Sequence, residues 1–414
     1  MQNLFHKLGH HGHSASDRQQ YPGAGNTDNH PQQPPTDGGS YNRPPPNAPL
    51  PVYPQPGQAP PGPGQGPPKA ARVRYHDKMQ FFHPRGHQHG VMRDLGFTGV
   101  LDNKIVWTFG DTLMGREGAA MICAVDSTSI GNMMSPMTAV DTALWPNSDN
   151  VKCFILPTPE EEADGGLSVY SYGGTNIMEI APNHGVIYYL AIHRPGGKER
   201  ILGAGVATVK MTQPGNVPVS TRNGQKMWND FEPAWGDVGA AYDARGGHIY
   251  AYGHGPKTED NELSTRVFLC RVPADRALDV GAYEYWLNDS REWTRQRLTT
   301  SGAMGSRKLE QAHAVFGWMA MNQANPFWSN HFNRWMLVHG TSWGQSHVMV
   351  QTADALEGPW TEHGEVASTD PRDGGKDGMR YCATGHPEFD PSGKTVLATW
   401  TRNNEVYGAT IEWE

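Results

Sequence analysis

The stretch DLGFTGVLDNKIVWTFG, residues 94–110, decides how the chain is read. A polar residue opens it, small and apolar residues follow, Asp102 and Asn103 interrupt it, and an apolar, aromatic run ends it. That order predicts a strand, a tight turn and a second strand, because Asn and Asp tolerate the backbone that a short hairpin turn demands. Three further stretches share the pattern: DVGAAYDARGGHIYAYG at 237–253, NPFWSNHFNRWMLVHG at 325–340 and HPEFDPSGKTVLATW at 386–400. A weaker copy, EIAPNHGVIYYLA, lies at 179–191. The openings at 94, 179, 237, 325 and 386 are 85, 58, 88 and 61 residues apart. Each interval leaves room for two more strands, such as 266–272 and 348–352. Four-stranded units repeated about five times predict an all-β chain, a five-bladed β-propeller; the competing reading is an irregular β-sandwich. The last strand, 407–413, has no successor, so residues 72–82 are expected to pair with it and remove the open edges.

Outward from the repeats, composition separates two kinds of polymer. Of 414 residues, 33 are proline, and 16 of these lie between Pro22 and Pro68, whereas all 13 tryptophans lie at or beyond Trp107. Residues 1–71 therefore predict a disordered Pro/Gly/His-rich tail, since so few apolar groups cannot offset the entropy of ordering it. Its Pro-rich part is a candidate ligand for an aromatic-groove partner, with a spacer or tether as the other reading. The propeller is expected over 72–414. A net charge of −8 argues against a nucleic-acid partner. The absence of a long apolar run argues against a membrane span. Four scattered cysteines with no CxxC pair predict buried thiols rather than disulfides or zinc. The first residues carry no apolar signal region, which gives a cytoplasmic expectation, with unconventional secretion as the alternative. A monomer is expected, without cofactor or metal.

In a propeller the opening of each blade's first strand faces one mouth of the central channel. By that logic Asp94, Glu179, Asp237, Asn325 and His386 converge on a funnel. Paired carboxylates in a cleft divide acid and base work, because repulsion and burial keep one protonated while the other ionises. Glycoside hydrolysis needs such a pair. Asp94 and Asp237 form the preferred pair, with Glu179 or Glu232 as a third member. Asp111, at the end of WTFGDT, assists the pair or orients Arg93 or its loop. Trp107, Trp335 and Trp400 are expected in the core; Trp235, Trp328 and Trp343 are expected at the rim, where indoles stack on sugar rings. His76, His83, His87 and His89 cluster locally, with the last two candidates for the mouth. No phosphate loop, GxSxG elbow or HExxH is present.

Arg93-Asp94 with Trp107-Thr-Phe-Gly-Asp111-Thr, Trp235-Gly-Asp237 with Ile249-Tyr-Ala-Tyr, Tyr283-Glu-Tyr-Trp286 and Gly358-Pro-Trp360 together resemble the DUF4185 proteins. That family is of five-bladed propeller type and includes endo-D-arabinanases. The chain is also similar in architecture to the arabinanase and β-xylosidase propellers. The resemblance, over roughly 90–414, implies hydrolysis of a glycosidic bond in an oligo- or polysaccharide, with arabinofuranosides as one substrate class. Asp94 and Asp111 are the positions carried over most directly. Catalytic candidates are thus Asp94, Asp237, Asp111 and Glu179; substrate-binding candidates are Arg93, Glu232, Trp235, Asn325, Trp328 and His386. The alternatives are a carbohydrate-binding, lectin-like propeller and a protein-interaction scaffold.

Overall fold

A computed structural model describes residues 66–114, 122–124, 126–259, 262–303, 305–317, 323–341, 347–368 and 380–414, all inside the compact unit Pro44–Glu414. The tail expected over 1–71 lies outside the described residues as far as residue 65, and so does the rim candidate Trp343. Among the described residues the structure is all-β: curled antiparallel sheets, a few 3-10 turns and one short α-helix, Pro159–Ala163. No helix of the described residues is long and apolar enough to cross a membrane.

Each stretch singled out by the sequence folds as a hairpin. Val91–Leu101 pairs with Lys104–Met114, and the turn residues Asp102 and Asn103 take φ of 50° and 60°. Both central residues being left-handed fits the right-handed twist of the flanking strands, and Asp and Asn accept that backbone readily. Gly239–Asp243 pairs with His248–His254, Phe327–Ser329 with Arg334–Gly340, and Arg380–His386 with Thr395–Arg402. His184–His193 pairs with both Met178–Ala181 and Tyr170–Gly174 across one irregular first strand.

Outer strands complete each hairpin. Ser127–Gly131 and Thr138–Val140 extend the first, Arg200–Thr212 and Val217–Arg222 the second, and Val267–Pro273 and Glu284–Leu287 the third. His347–Ala353 and Thr361–Ser368 extend the fourth. The last sheet closes on part of the expected segment: Glu405–Trp413 pairs with Thr395–Arg402 on one side and with Ala70–Tyr75 on the other, while Gln80–Phe82 runs parallel to Thr138–Val140 in the first sheet.

The interior is aromatic and aliphatic. Trp107, Trp335 and Trp400 are buried, as the sequence predicts, and pack among Phe, Leu, Val and Ile side chains of neighbouring strands. Neighbouring first strands lie very close together. A Cβ on Gly99 would sit 1.9 Å from the Ile177 carbonyl oxygen, so only glycine fits there. Cys153, Cys270 and Cys382 are buried free thiols.

Candidate functional site

The site grows from FGDT, residues 109–112, on the second strand of the first hairpin. Val91–Leu101 bulges between Arg93 and Phe97, which moves Asp94 out of the regular ladder. Leu95 takes φ of 63°, a costly backbone for a bulky side chain. Opposite it, Arg380–His386 bulges between Tyr381 and Thr384, and Cys382 takes φ of 52°. The other non-glycine residues with positive φ are Asp, Asn and one Arg. Two strained positions inside strands, flanking one carboxyl, mark where the fold gives up regularity to place side chains.

The result is a compact polar constellation. Asp94 Oδ1 accepts the backbone N–H of Asp111 at 2.6 Å, and Asp94 Oδ2 accepts the Tyr381 hydroxyl at 2.8 Å. Gly110 is glycine for a local reason: a Cβ there would meet Asp94 Oδ1 at 2.5 Å. Desolvation, then the neighbouring Asp111 charge, push the Asp94 carboxyl up to about 7, against the lowering effect of its two donors. Desolvation also raises Asp111; Arg194 opposes that rise and Glu199 adds to it. Arg194 and Glu199 form an ion pair at 3.2 Å on the connection between His184–His193 and Arg200–Thr212. Two carboxyls whose charges act on each other titrate as a pair, and between their two steps they carry one proton. Such a pair can donate a proton with one oxygen and accept one with another.

Asp237 stands on a different sheet. Its Oδ1 accepts the His254 backbone N–H at 2.9 Å, and its Oδ2 contacts His254 Nδ1 at 3.0 Å. The carboxylate that the structure sets against Asp94 is therefore Asp111, where the sequence favoured Asp237.

Several other candidates are placed elsewhere. Glu179 sits at the turn end of the first hairpin, beside Asp102, eight residues along the strand from Asp94: its Oε1 caps Asp102 N at 2.9 Å and Asn183 N at 2.7 Å, tying two hairpin turns together. At ~3.3 Å per residue, that is about 26 Å from the opening of the strand. The first strand of that sheet begins at Tyr170, so alignment on Glu179 started the repeat too late. Arg93 is fully buried, pairs with Asp141 at 2.9 Å, donates to Ser127 and Ser129, and lies between the rings of Phe81 and Phe109. His89 binds the same Asp141 at 2.6 Å, which anchors it away from a mouth role, while His83 and His87 stack on each other. No group of side chains suited to a metal is present among the described residues.

Glu232 is also buried, gripped by Arg297 through two bonds of 2.7 and 2.6 Å. Trp235 is fully buried in the core rather than on the rim. Trp328 sits at the turn end of its hairpin, edge-on to Trp335, with the Arg245 guanidinium 4.1 Å above its ring. Asn325 and His386 face inward: Asn325 accepts the Thr384 hydroxyl at 2.8 Å, and His386 is held between Thr98 and Thr399. Burial drives the His386 imidazole down to about 3, so it is neutral at any ordinary pH. Tyr381, Arg194 and Glu199 are the site residues that the sequence reading passed over.

The fold and site define an all-β protein with a desolvated Asp–Asp pair held by a tyrosine. Residues 94–409 match the family described as "Domain of unknown function (DUF5005)", and the chain belongs to that family. No curated protein matches the chain. Among solved structures it is similar to a "putative hydrolase" from Bacteroides ovatus, with 16% identity, 77% of this chain and 85% of that chain covered, and a TM-score of 0.48. It is also similar to an N-acetylgalactosamine deacetylase from F. plautii, with 10% identity, coverages of 85% and 94%, and a TM-score of 0.43. A GH43_1 enzyme from Xanthomonas citri follows, with 11% identity, coverages of 78% and 88%, and a TM-score of 0.38.

Proposed function

We propose that the chain is a five-bladed β-propeller glycoside hydrolase, with Asp94 and Asp111 as its acid–base pair and Asp237 as a third carboxylate. Supporting five blades is a cycle of hydrogen bonds from each sheet to the next. Thr108 donates to Thr175 O, Asn176 to Ala240 O and Gln323 to Asp237 O, and the Asn325–Thr384 and Thr98–His386 contacts complete the round. The observation that carries the activity is the Asp94–Asp111 contact, with Asp94 raised to about 7 by desolvation and its neighbour.

Near neutral pH the pair holds one proton. The protonated member delivers it to the glycosidic oxygen; the ionised member activates water or meets the developing positive charge on the sugar. Tyr381 fixes the direction of the Asp94 carboxyl, and Arg194 limits the charge that builds up when both groups ionise. The arabinofuranosidic substrate and the kinship to DUF4185 belong to the same proposal and rest on the FGDT resemblance. A lectin-like reading is weaker, because Trp235 is buried and Trp328 lies beneath Arg245. The test is the purified full chain on 4-nitrophenyl furanosides and pyranosides and on linear arabinan. Hydrolysis of at least one, with kcat/KM lowered about 10²–10⁴-fold in both Asp94→Asn and Asp111→Asn, is expected. Turnover of no glycoside, or full activity in either variant, overturns the assignment.

A further inference from the structure

Away from the Asp94 site the structure carries a cleft of about 340 Å³, built on Phe231, Glu232, Arg297, Ser301, Ala303 and Ser306. That volume falls in the range of small-ligand sites, about 300–1,000 Å³. Phe231 is 45% exposed and is the one aromatic among the large hydrophobic side chains left open in the described residues. Its backbone is nevertheless fixed: Thr300 N–H donates to the Phe231 carbonyl at 3.0 Å, and Glu232 N–H donates to Asn229 O at 3.1 Å. An apolar face held open on a rigid loop, beside polar groups, is a feature that folding alone does not need.

The polar side of the cleft is equally fixed. Glu232, 1% exposed, takes Nε and Nη2 of Arg297, and Nη2 also donates to Met227 O at 3.0 Å. Nη1 makes no hydrogen bond among the described residues, and the arginine side chain is 36% exposed. The Thr299 and Ser306 hydroxyls bond each other at 3.0 Å, and Ser301 Oγ accepts the Ala303 N–H at 3.3 Å. Charge decides the ligand class. Glu232 neutralises Arg297, and Arg200 pairs with Asp230 nearby at 3.1 Å, so the cleft offers directed donors and acceptors without net charge. An anion gains little there. Ser306 donates to Ala303 O and Thr299 accepts the Gly302 N–H, so a neutral polyol gains a ring face on Phe231, a donor from Arg297 and the Ser301 hydroxyl.

We propose that this cleft is a saccharide-binding subsite, separate from the Asp94–Asp111 pair, that holds a sugar unit of a neutral polysaccharide against Phe231. The choice of ligand rests on the glycan reading of the Asp94 site. The experiment uses the full chain carrying Asp94→Asn, so that the polymer survives, in affinity electrophoresis through linear arabinan and arabinoxylan. Retardation in one polymer is expected, weakened about five- to tenfold by Phe231→Ala, the loss of one aromatic contact. Ala303→Arg, which fills the cleft from an exposed position, should abolish it. With Asp94 restored, both variants should still cleave small aryl glycosides at the wild-type rate. Unchanged retardation in both variants, or none with any polymer, overturns the subsite. If no glycoside is ever cleaved but retardation depends on Phe231, the subsite stands and the hydrolase assignment falls.

Discussion

Replacing Asp94 by Asn should silence the protein and stabilise it at the same time. The Asp94 carboxyl titrates at about 7 in the fold, against an ordinary 3.8. Between those values the folded chain keeps a proton that the unfolded chain has released. Stability therefore falls as pH rises through that window, and the loss is complete above about 7. A difference of 3.2 (7 − 3.8), at ~1.36 kcal/mol per unit, sets an upper figure of about 4 kcal/mol. The carboxyl is half-buried and solvent shares in screening it, so about 2–4 kcal/mol is the working figure. Asn cannot ionise. Its oxygen can still accept the Asp111 N–H and its amide can turn to the Tyr381 oxygen. The gain over wild type should be near zero at pH 4 and reach about 2–4 kcal/mol at pH 8. Asp126 and Glu388, which burial raises to about 8 and about 7, titrate in both proteins and cancel in the difference. Urea denaturation of both proteins at pH 4.5, 6 and 8 measures the gap. A gap that does not change with pH, or a variant that is less stable at pH 8, refutes a raised Asp94 pKa and the acid–base role built on it.

Tyr381→Phe removes a donor that favours the ionised carboxyl, so the Asp94 pKa should rise further by about one unit. The corresponding limb of the kcat/KM–pH profile should move alkaline; a stationary limb would remove Tyr381 from the site. Gly99→Ala should cost at least about 3 kcal/mol, because its Cβ would meet the Ile177 carbonyl oxygen at 1.9 Å; thermal unfolding reads this directly. Arg93→Met leaves buried Asp141 with only His89 and Ser129 as partners and should destabilise by about 3 kcal/mol, while the folded fraction keeps its KM. A raised KM with unchanged stability would return Arg93 to substrate binding. Glu179→Gln should weaken the capping of Asp102 and Asn183 by about 1–2 kcal/mol in urea and leave kcat unaltered.

What the sequence made legible was local. The five hairpins, their Asn and Asp turns, the buried Trp107, Trp335 and Trp400, and the pairing of the first and last strands follow from turn chemistry and strand patterning. Asp94 and Asp111 were also within reach, because they lie on the two strands of one hairpin. The errors over Tyr381 and Glu179 share one cause: the repeats are alike at their turns, while their first strands differ in length and carry bulges. Arg380–His386 starts six residues ahead of His386, so Tyr381, the group facing Asp94, went unseen. The broken strand through 170–181 displaced Glu179 in the same way. Burial misled the rest. Arg93, Glu232 and Trp235 have the chemistry of a binding site, yet a partner carboxylate, a partner arginine and a full core claim them. Those partners lie 48, 65 and more residues away, beyond any local pattern.

The pairing of Ala70–Tyr75 with Glu405–Trp413 also sets the order in which the chain can mature. The first strand of the described residues has its partner far along the chain, and the strand cannot pair until that partner is made. At about 5–20 residues per second, the roughly 330 residues between them take about 20–60 s to synthesise. Throughout that time residues 70–75 present an unpaired strand edge, while the hairpins between them can already form from neighbouring segments. Over that interval the nascent segment is an open series of sheets with one unpaired strand. That strand is where a chaperone, or a second nascent copy on the same message, would first take hold.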